Sequence, residues 1–548
     1  MTTAREVCIC ARLRLLFWIL GIAGAIVQAV AYRQFITADS LSYLDMSDAI
    51  SAHDPGRLVN ATWSPLYPLV VGLVNSVLHP SPYWEFPVAH WVNFLCFLFA
   101  FAAFEFLFRS LQASWLPDKL PQWALVVTGY SLFLWASLGM LTLMLPGPDM
   151  LMSGFLYLTA GLLVRIHRGQ PSWKTYAALG VVLGAGYLAK AIMFPLGILA
   201  LGMTLFVSAP LDVKLKRTLL AGLFFGVVAG PYVWAVSSLA HRHTFGEAGT
   251  IVHMTHVDKI DGYFQNTGTA TGKFVHPMTK ILNLDPPAFL FARPVPATYP
   301  FWYDPYYWSE GVRPAFLART QAKLFFNNLS IYFGMVLGLA GVAVSAAILA
   351  YAAGLRHSIR ALLSFWPICL LGVFALAAYA TLYVENRYLG GFFAIIGLGL
   401  LFGLRLPRPL AIRTLGIIVT VIVLNLALNT AINLRKNRIE NANVSRLNDP
   451  AAAVALRLTG VAADSSVAAV TPSMASGWAR LARVHIIADI QRTSTEKFLQ
   501  GTAAYHKAAF EAFAAAGCKA VVARIGDRAV APGWQRLGDS VYAVHLLP

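Results

Sequence analysis

Leu15-Leu16-Phe17-Trp18-Ile19-Leu20-Gly21-Ile22-Ala23-Gly24-Ala25-Ile26-Val27 lies inside an apolar stretch, 14–32. A few residues later comes Ala38-Asp39-Ser40-Leu41-Ser42-Tyr43-Leu44-Asp45-Met46-Ser47-Asp48. The first run is long enough to cross a bilayer as a helix, which takes roughly 20 apolar residues. The second places three carboxylates just beyond it. Charges at that depth are costly, so they mark a polar reaction or a ligand site at the membrane surface.

Working outward, the same apolar pattern recurs. Eleven stretches of membrane length can be drawn, at 14–32, 86–108, 121–141, 150–166, 175–190, 191–208, 217–239, 327–352, 361–380, 387–404 and 411–432. Only 12% of the 548 residues are charged, against about 25% in a soluble globular protein, and the mean hydropathy is +0.62. The fold class is therefore a polytopic α-helical membrane protein. Every second connection is basic, carrying Arg5, Arg12 and Arg14, then Arg109 and Lys119, then Arg165, Arg168 and Lys174. The series continues with Lys214, Lys216 and Arg217, then Arg356 and Arg360, then Arg405, Arg408 and Arg413. That alternation puts the N-terminus in the cytosol and residue 433 onward outside, in a bacterial inner membrane. It also explains the net charge of +17 as a topology signal and an attraction to membrane lipids, with no nucleic-acid partner. The first span, ending near Ala29-Val30-Ala31, reads as an uncleaved signal anchor. Cys518 is the one exported cysteine, so no disulfide forms within the exported parts.

The spans and their loops form a transmembrane domain, 1–432, with two long exported loops, 33–85 and 240–326. The first contains Trp63-Ser64-Pro65-Leu66-Tyr67-Pro68 and an apolar run to Val74, too short to span and read as a helix lying in the interface. In 433–548 the period changes. Val467–Val470, Val484–Ile487, Lys519–Ala523 and Val541–Val544 read as strands and Ala503–Ala516 as a helix closed by Gly517. Strand alternating with helix predicts a small exported α/β domain with a largely parallel sheet. No glycine-rich fingerprint follows its strands, so a nucleotide site is not supported.

The chemistry-bearing candidates each have a plainer reading. Asp39 and Asp149 (in Pro146-Gly147-Pro148-Asp149) either cap the helices they precede or are acids at a functional site, with Asp39 as a general base. Asp45 and Asp48 share a helical face, read as solvated or as a weak cation site. Lys190 and Arg387 either snorkel to the headgroups, Arg387 beside Glu385, or hold an anionic phosphate. Glu105 and Arg109, four apart, neutralise each other. His241, His243, His253 and His256, with Asp258 and Asp261 nearby, offer a metal cluster as the lesser reading, because no family-like ligand spacing is met. The run Tyr299–Trp308 is read as an interfacial aromatic belt, or else as a platform for sugar rings.

Taken in order, four of these pieces resemble the glycosyltransferase C superfamily. Those are polytopic enzymes that use polyprenyl-phosphate sugars, such as the protein mannosyltransferases and the aminoarabinose transferase of lipid A. Asp39-Ser40-Leu41-Ser42-Tyr43 is similar to the acidic motif of the first exported loop. Trp63–Pro68 is similar to the start of the second juxtamembrane helix. Pro148-Asp149-Met150-Leu151 matches the second exported acid, and Arg387-Tyr388-Leu389 the Arg-Tyr before a late span. Two positions depart, with Ser40 where several members carry a second acid and Ser64 where some carry Lys.

The resemblance implies a polyprenyl-phosphate-linked sugar as donor and an envelope lipid, glycan or protein as acceptor. Asp39 and Asp149 would be catalytic, and Tyr43, Trp63, Tyr67, Lys190, Arg387 and Tyr388 would bind substrate. Transfer would invert the anomeric centre. No cofactor is fixed, because the superfamily contains members with and without a divalent metal. A transporter or flippase for a lipid-linked glycan, and a non-catalytic membrane scaffold, are the alternatives. Neither the repeats nor the midplane polar sites of a transporter are present in the sequence.

Overall fold

Segments that are apolar on every side fold as helices that satisfy their own backbone groups. The first of them is α1 (Ala4–Ala31). The computed structural model describes residues 4–113, 121–169, 172–260, 265–291, 297–337, 363–403 and 447–548 except 472–475, with isolated positions between 416 and 435. After α1 come α2 (Ala38–Ser51), α3 (Leu66–Leu78), α4 (Pro82–Ala113) and α5 (Gln122–Leu134), which widens into a π turn over Trp135–Leu141. Next are α6 (Asp149–Arg168), α7 (Trp173–Ala189), α8 (Met193–Met203) and α9 (Leu211–Leu239).

The second long loop holds α10 (Ala248–His256), β1 (Thr271–Gly272), β2 (Thr279–Leu282), β3 (Ala288–Leu290), α11 (Pro300–Tyr303), α12 (Pro305–Ser309) and β4 (Val312–Arg313). Then follow α13 (Ala318–Leu337), α14 (Trp366–Ala380) and α15 (Asn386–Gly403).

Among the described residues, six helices are long and apolar enough to cross a membrane, with shorter apolar helices beside them. Each predicted stretch up to 404 coincides with a helix, although 327–352 is described only to residue 337. The stretch 411–432 lies outside the continuously described residues.

The centre of the bundle is aromatic. Phe133 stacks on Phe101 and Phe104, each at 4.6 Å, and Tyr130 packs edge-on to Phe104 at 5.2 Å. Gly154 and Gly161 let α6 lie close against Phe99 and Phe106 of α4, the small-residue packing that membrane helices favour. At the other end Glu105 pairs with Arg109 (2.5 Å) as expected, and also with Arg14 (3.2 Å).

The carboxy-terminal domain contains α16 (Asp449–Leu458), β5 (Ser466–Val470), α17 (Gly477–Ala482), β6 (His485–Ile490), α18 (Thr495–Leu499), α19 (Ala503–Ala515), β7 (Ala520–Arg524), β8 (Gln535–Arg536) and β9 (Tyr542–Leu546). Gly517, at φ +89°, ends α19 in the left-handed conformation that glycine adopts without penalty.

The expectation of a largely parallel sheet is corrected. The sheet is seven-stranded, in the order β2-β3-β6-β5-β7-β9-β8, and only β5–β6 and β5–β7 pair in parallel. The remaining pairs are antiparallel, because β9 returns beside β7 and because β2 and β3 are donated by the second long loop. That donation welds a loop of the membrane domain into the sheet, a long-range pairing that local patterning cannot show.

Candidate active site

The site is built at one end of the bundle, where α2, α6 and α15 begin and α7 ends. Thr37, not Asp39, takes the cap position of α2, so Asp39 falls in the first helical turn. Likewise Pro148 precedes α6 and Asp149 is its first residue. The capping readings of both acids are thereby corrected. The positive end of each helix still favours a carboxylate there.

Polar side chains from the bundle hold the turn leading to Asp149. Asn93 donates to the carbonyl of Leu145 (2.6 Å) and accepts from the Gly147 amide. Gln28 donates to the carbonyl of Leu138 and accepts from the Leu143 amide, and His90 bonds the carbonyls of Leu143 and Phe35. Ser40 donates to Pro146 at 2.9 Å, tying α2 to the same turn. A buried turn needs these partners, since its own amides and carbonyls are out of reach of water.

Arg387, the second residue of α15, joins the two acids. It donates to Asp39 Oδ2 at 2.8 Å and lies 3.8 Å from Asp149 Oδ2, with Glu385 Oε2 at 3.1 Å. Lys190, which caps α7, pairs with the other oxygen of Asp149. The Tyr388 ring sits against both cations, 3.9 Å from Lys190 Nζ and 4.9 Å from the Arg387 guanidinium, and its hydroxyl accepts from Arg387 at 3.0 Å. Lys190 and Arg387 are paired and largely buried, which replaces the snorkelling reading.

Tyr43 is buried beneath this cluster, edge-on to Trp63 (5.4 Å) and Tyr67 (5.6 Å). Burial, and then the charges of Asp39 and Asp149, hold its phenol protonated well above the usual range. Trp63 and Tyr67 thus support the site through Tyr43.

The remaining contact to Asp39 has no signal in the sequence. Trp302 donates its indole N–H to Asp39 Oδ1 at 3.0 Å. Trp302 belongs to the run read as an interfacial belt, which instead packs on α2. Asp45 accepts from both the amide (2.9 Å) and the hydroxyl (2.7 Å) of Thr298, and Ser42 donates to the carbonyl of Trp302. Asp39, Ser42 and Asp45 recur every three residues, one face of α2. A separation of 263 residues leaves no local signal for the Trp302–Asp39 pair.

Asp45 and Asp48 are not a solvated face. Both pair with Arg480 of the carboxy-terminal domain. In the histidine-bearing loop, His253 bonds Asp258 and His256 stacks on Tyr383, while Asp261 lies outside the described residues.

Asp39 and Asp149 carry Arg387 and Lys190 as partners, and among the described residues no three His, Cys, Asp or Glu side chains gather as a cage of protein ligands.

No protein-family model matches the chain, and no curated protein matches it in sequence. Solved structures do match. The chain is similar to ArnT from Cupriavidus metallidurans in the apo state, with 11% identity and a TM-score of 0.53 over 96% of each chain. It is also similar to the same protein bound to undecaprenyl phosphate, with 10% identity and a TM-score of 0.50 over 96% of this chain and 97% of that one. At such identity the likeness is one of fold. The architecture expected from the sequence, apolar helices of membrane length followed by a small α/β domain, is the architecture found.

Proposed function

We propose that the chain is a glycosyltransferase that moves a sugar from a polyprenyl-phosphate donor to an acceptor hydroxyl at the exported surface of the membrane. The observation that carries this reading is the meeting of Asp39, Asp149, Lys190, Arg387 and Tyr388, from four helices or helix ends, at one polar end of an apolar bundle. A structure of the same fold holding undecaprenyl phosphate supports the lipid-linked donor.

In this mechanism Asp39 accepts the proton of the acceptor hydroxyl. The acceptor oxygen then bonds to the anomeric carbon as the bond from that carbon to the phosphate oxygen breaks. Attack opposite the leaving phosphate inverts the anomeric centre. Arg387 and Lys190 neutralise the departing polyprenyl phosphate.

Charge bookkeeping favours this direction. Asp39, Asp149 and Glu385 carry three negative charges against the two positive charges of Arg387 and Lys190. When Asp39 takes up the proton, Arg387 loses one of its compensating anions and attracts the leaving phosphate more strongly.

The test is incubation of the purified protein with a panel of radiolabelled polyprenyl-phosphate sugars and membrane acceptors. Wild type should transfer label from at least one donor, and Asp39→Asn should lower the rate by about 10²- to 10⁴-fold. If wild type and Asp39→Asn behave alike with every donor, the enzymatic reading fails.

A further inference from the structure

One side chain of the carboxy-terminal domain is buried in the membrane domain. Arg480, in α17, is 3% exposed. Its Nε donates to Glu85 Oε1 (2.8 Å) and its Nη1 to Asp45 Oδ1 (2.9 Å) and Asp48 Oδ2 (2.5 Å), while Nη2 donates to Asp48 Oδ1 (2.7 Å). Glu85, itself 1% exposed, also pairs with Arg483 at 3.1 Å. A buried ion cluster is a poor adhesive, because apolar residues of the same volume often do as well or better. What it supplies is a fixed geometry.

That geometry leads to Asp39 by two routes. Asp45 lies six residues along α2 from Asp39, about 9 Å at 1.5 Å per residue, so a guanidinium gripping Asp45 and Asp48 fixes the axial position of the helix. The strand after α17 grips the facing loop. The Ile486 amide donates to Thr298, His485 Nδ1 bonds the carbonyl of Ala297, and Tyr299 donates to Asp489 at 2.7 Å. Thr298 in turn donates to Asp45, and Trp302 four residues on donates to Asp39. The contact of Asp39 with Arg387, which belongs to α15, therefore depends on where α2 is pinned, and its contact with Trp302 on where both α2 and this loop are pinned.

We propose that Arg480 is a positioning residue for Asp39, and that the carboxy-terminal domain is part of the catalytic unit rather than an appended module. The inference rests on Asp39 acting as the base in the reaction proposed above.

The experiment compares full-length wild type with Arg480→Lys, with Arg480→Met, and with a charge-free variant combining Arg480→Met, Arg483→Gln, Asp45→Asn, Asp48→Asn and Glu85→Gln. Transfer kinetics, unfolding temperature and amide exchange of residues 38–51 are measured on each. Arg480→Lys should lower kcat about tenfold with the donor KM unchanged, and Arg480→Met by about a hundredfold, the loss that a displacement near 1 Å brings. The charge-free variant relieves the uncompensated buried carboxylates. It should regain wild-type unfolding temperature while kcat stays low and exchange of 38–51 stays fast. Return of kcat together with stability, or unchanged kcat in Arg480→Lys and Arg480→Met, would overturn the proposal. Wild type that transfers no sugar would sink the functional reading instead. The exchange of 38–51 would still judge the clamp, and unaltered exchange would count against it.

Discussion

Trp302→Phe removes one atom group from the site, the indole N–H that meets Asp39 Oδ1 at 3.0 Å. Phenylalanine fills most of the ring volume, so the Asp39–Arg387 bond at 2.8 Å is left in place. A hydrogen bond to a charged acceptor contributes about 1.5–3 kcal/mol. The Asp39 side chain is 20% exposed, so water replaces part of the lost bond and the lower end of that range applies. At 1.36 kcal/mol per factor of ten, kcat should fall about ten- to thirtyfold. The donor KM should stay close to wild type, because Trp302 contacts the base and not the cations. The assay is single-turnover transfer of labelled sugar, measured in the wild-type and Asp39→Asn backgrounds. If Trp302 acts through Asp39, the substitution should cost little once Asp39 is already Asn. An equal fall in both backgrounds would refute the orienting role, and so would no fall in either.

Three further outcomes follow from the geometry. Lys190→Met removes the cation that pairs with Asp149 and faces Tyr388, and should raise the donor KM about ten- to hundredfold, a loss of roughly 1.5–3 kcal/mol. An unchanged KM would separate Lys190 from the phosphate. Gly72→Ala places a methyl group of α3 against the Ser47 carbonyl and Ile50 of α2, an overpacking of about 1–3 kcal/mol. It should lower the unfolding temperature and, through α2, the transfer rate. Burial pushes the Asp449 carboxyl up to about 6 from its ordinary 3.8. The fold thus binds that proton more tightly than the unfolded chain does. Its contribution to stability is present below pH 4 and is lost as pH rises through about 6, at a cost of about 3 kcal/mol. Asp449→Asn should therefore be more stable than wild type at pH 7.5, with the difference vanishing near pH 4 in thermal unfolding scans.

Much of this architecture is legible in one dimension because its causes are local. An apolar run has nowhere to go but a membrane or a core. The helices therefore fall where 14–32, 86–108, 121–141 and 387–404 predict them. Short apolar runs at 467–470, 484–487, 519–523 and 541–544 likewise appear as β5, β6, β7 and β9. The isolated charges Asp39, Asp149, Lys190 and Arg387 stand out because an ionised side chain beside a span is costly unless it has a partner. The structure brings all four together.

Apolar patterning thus dictates the membrane-length helices and the α/β domain, and isolated charge marks Asp39, Asp149, Lys190 and Arg387. Their partners are set by packing alone. Trp302 reaches Asp39 across 263 residues, and Arg480 reaches Asp45 across 435. The second long loop supplies two strands to a sheet whose other members lie in the carboxy-terminal domain. Hydrophobic periodicity reports how each segment meets solvent or lipid. Which acid meets which cation is fixed by how segments pack against one another, and that packing leaves no period in the chain.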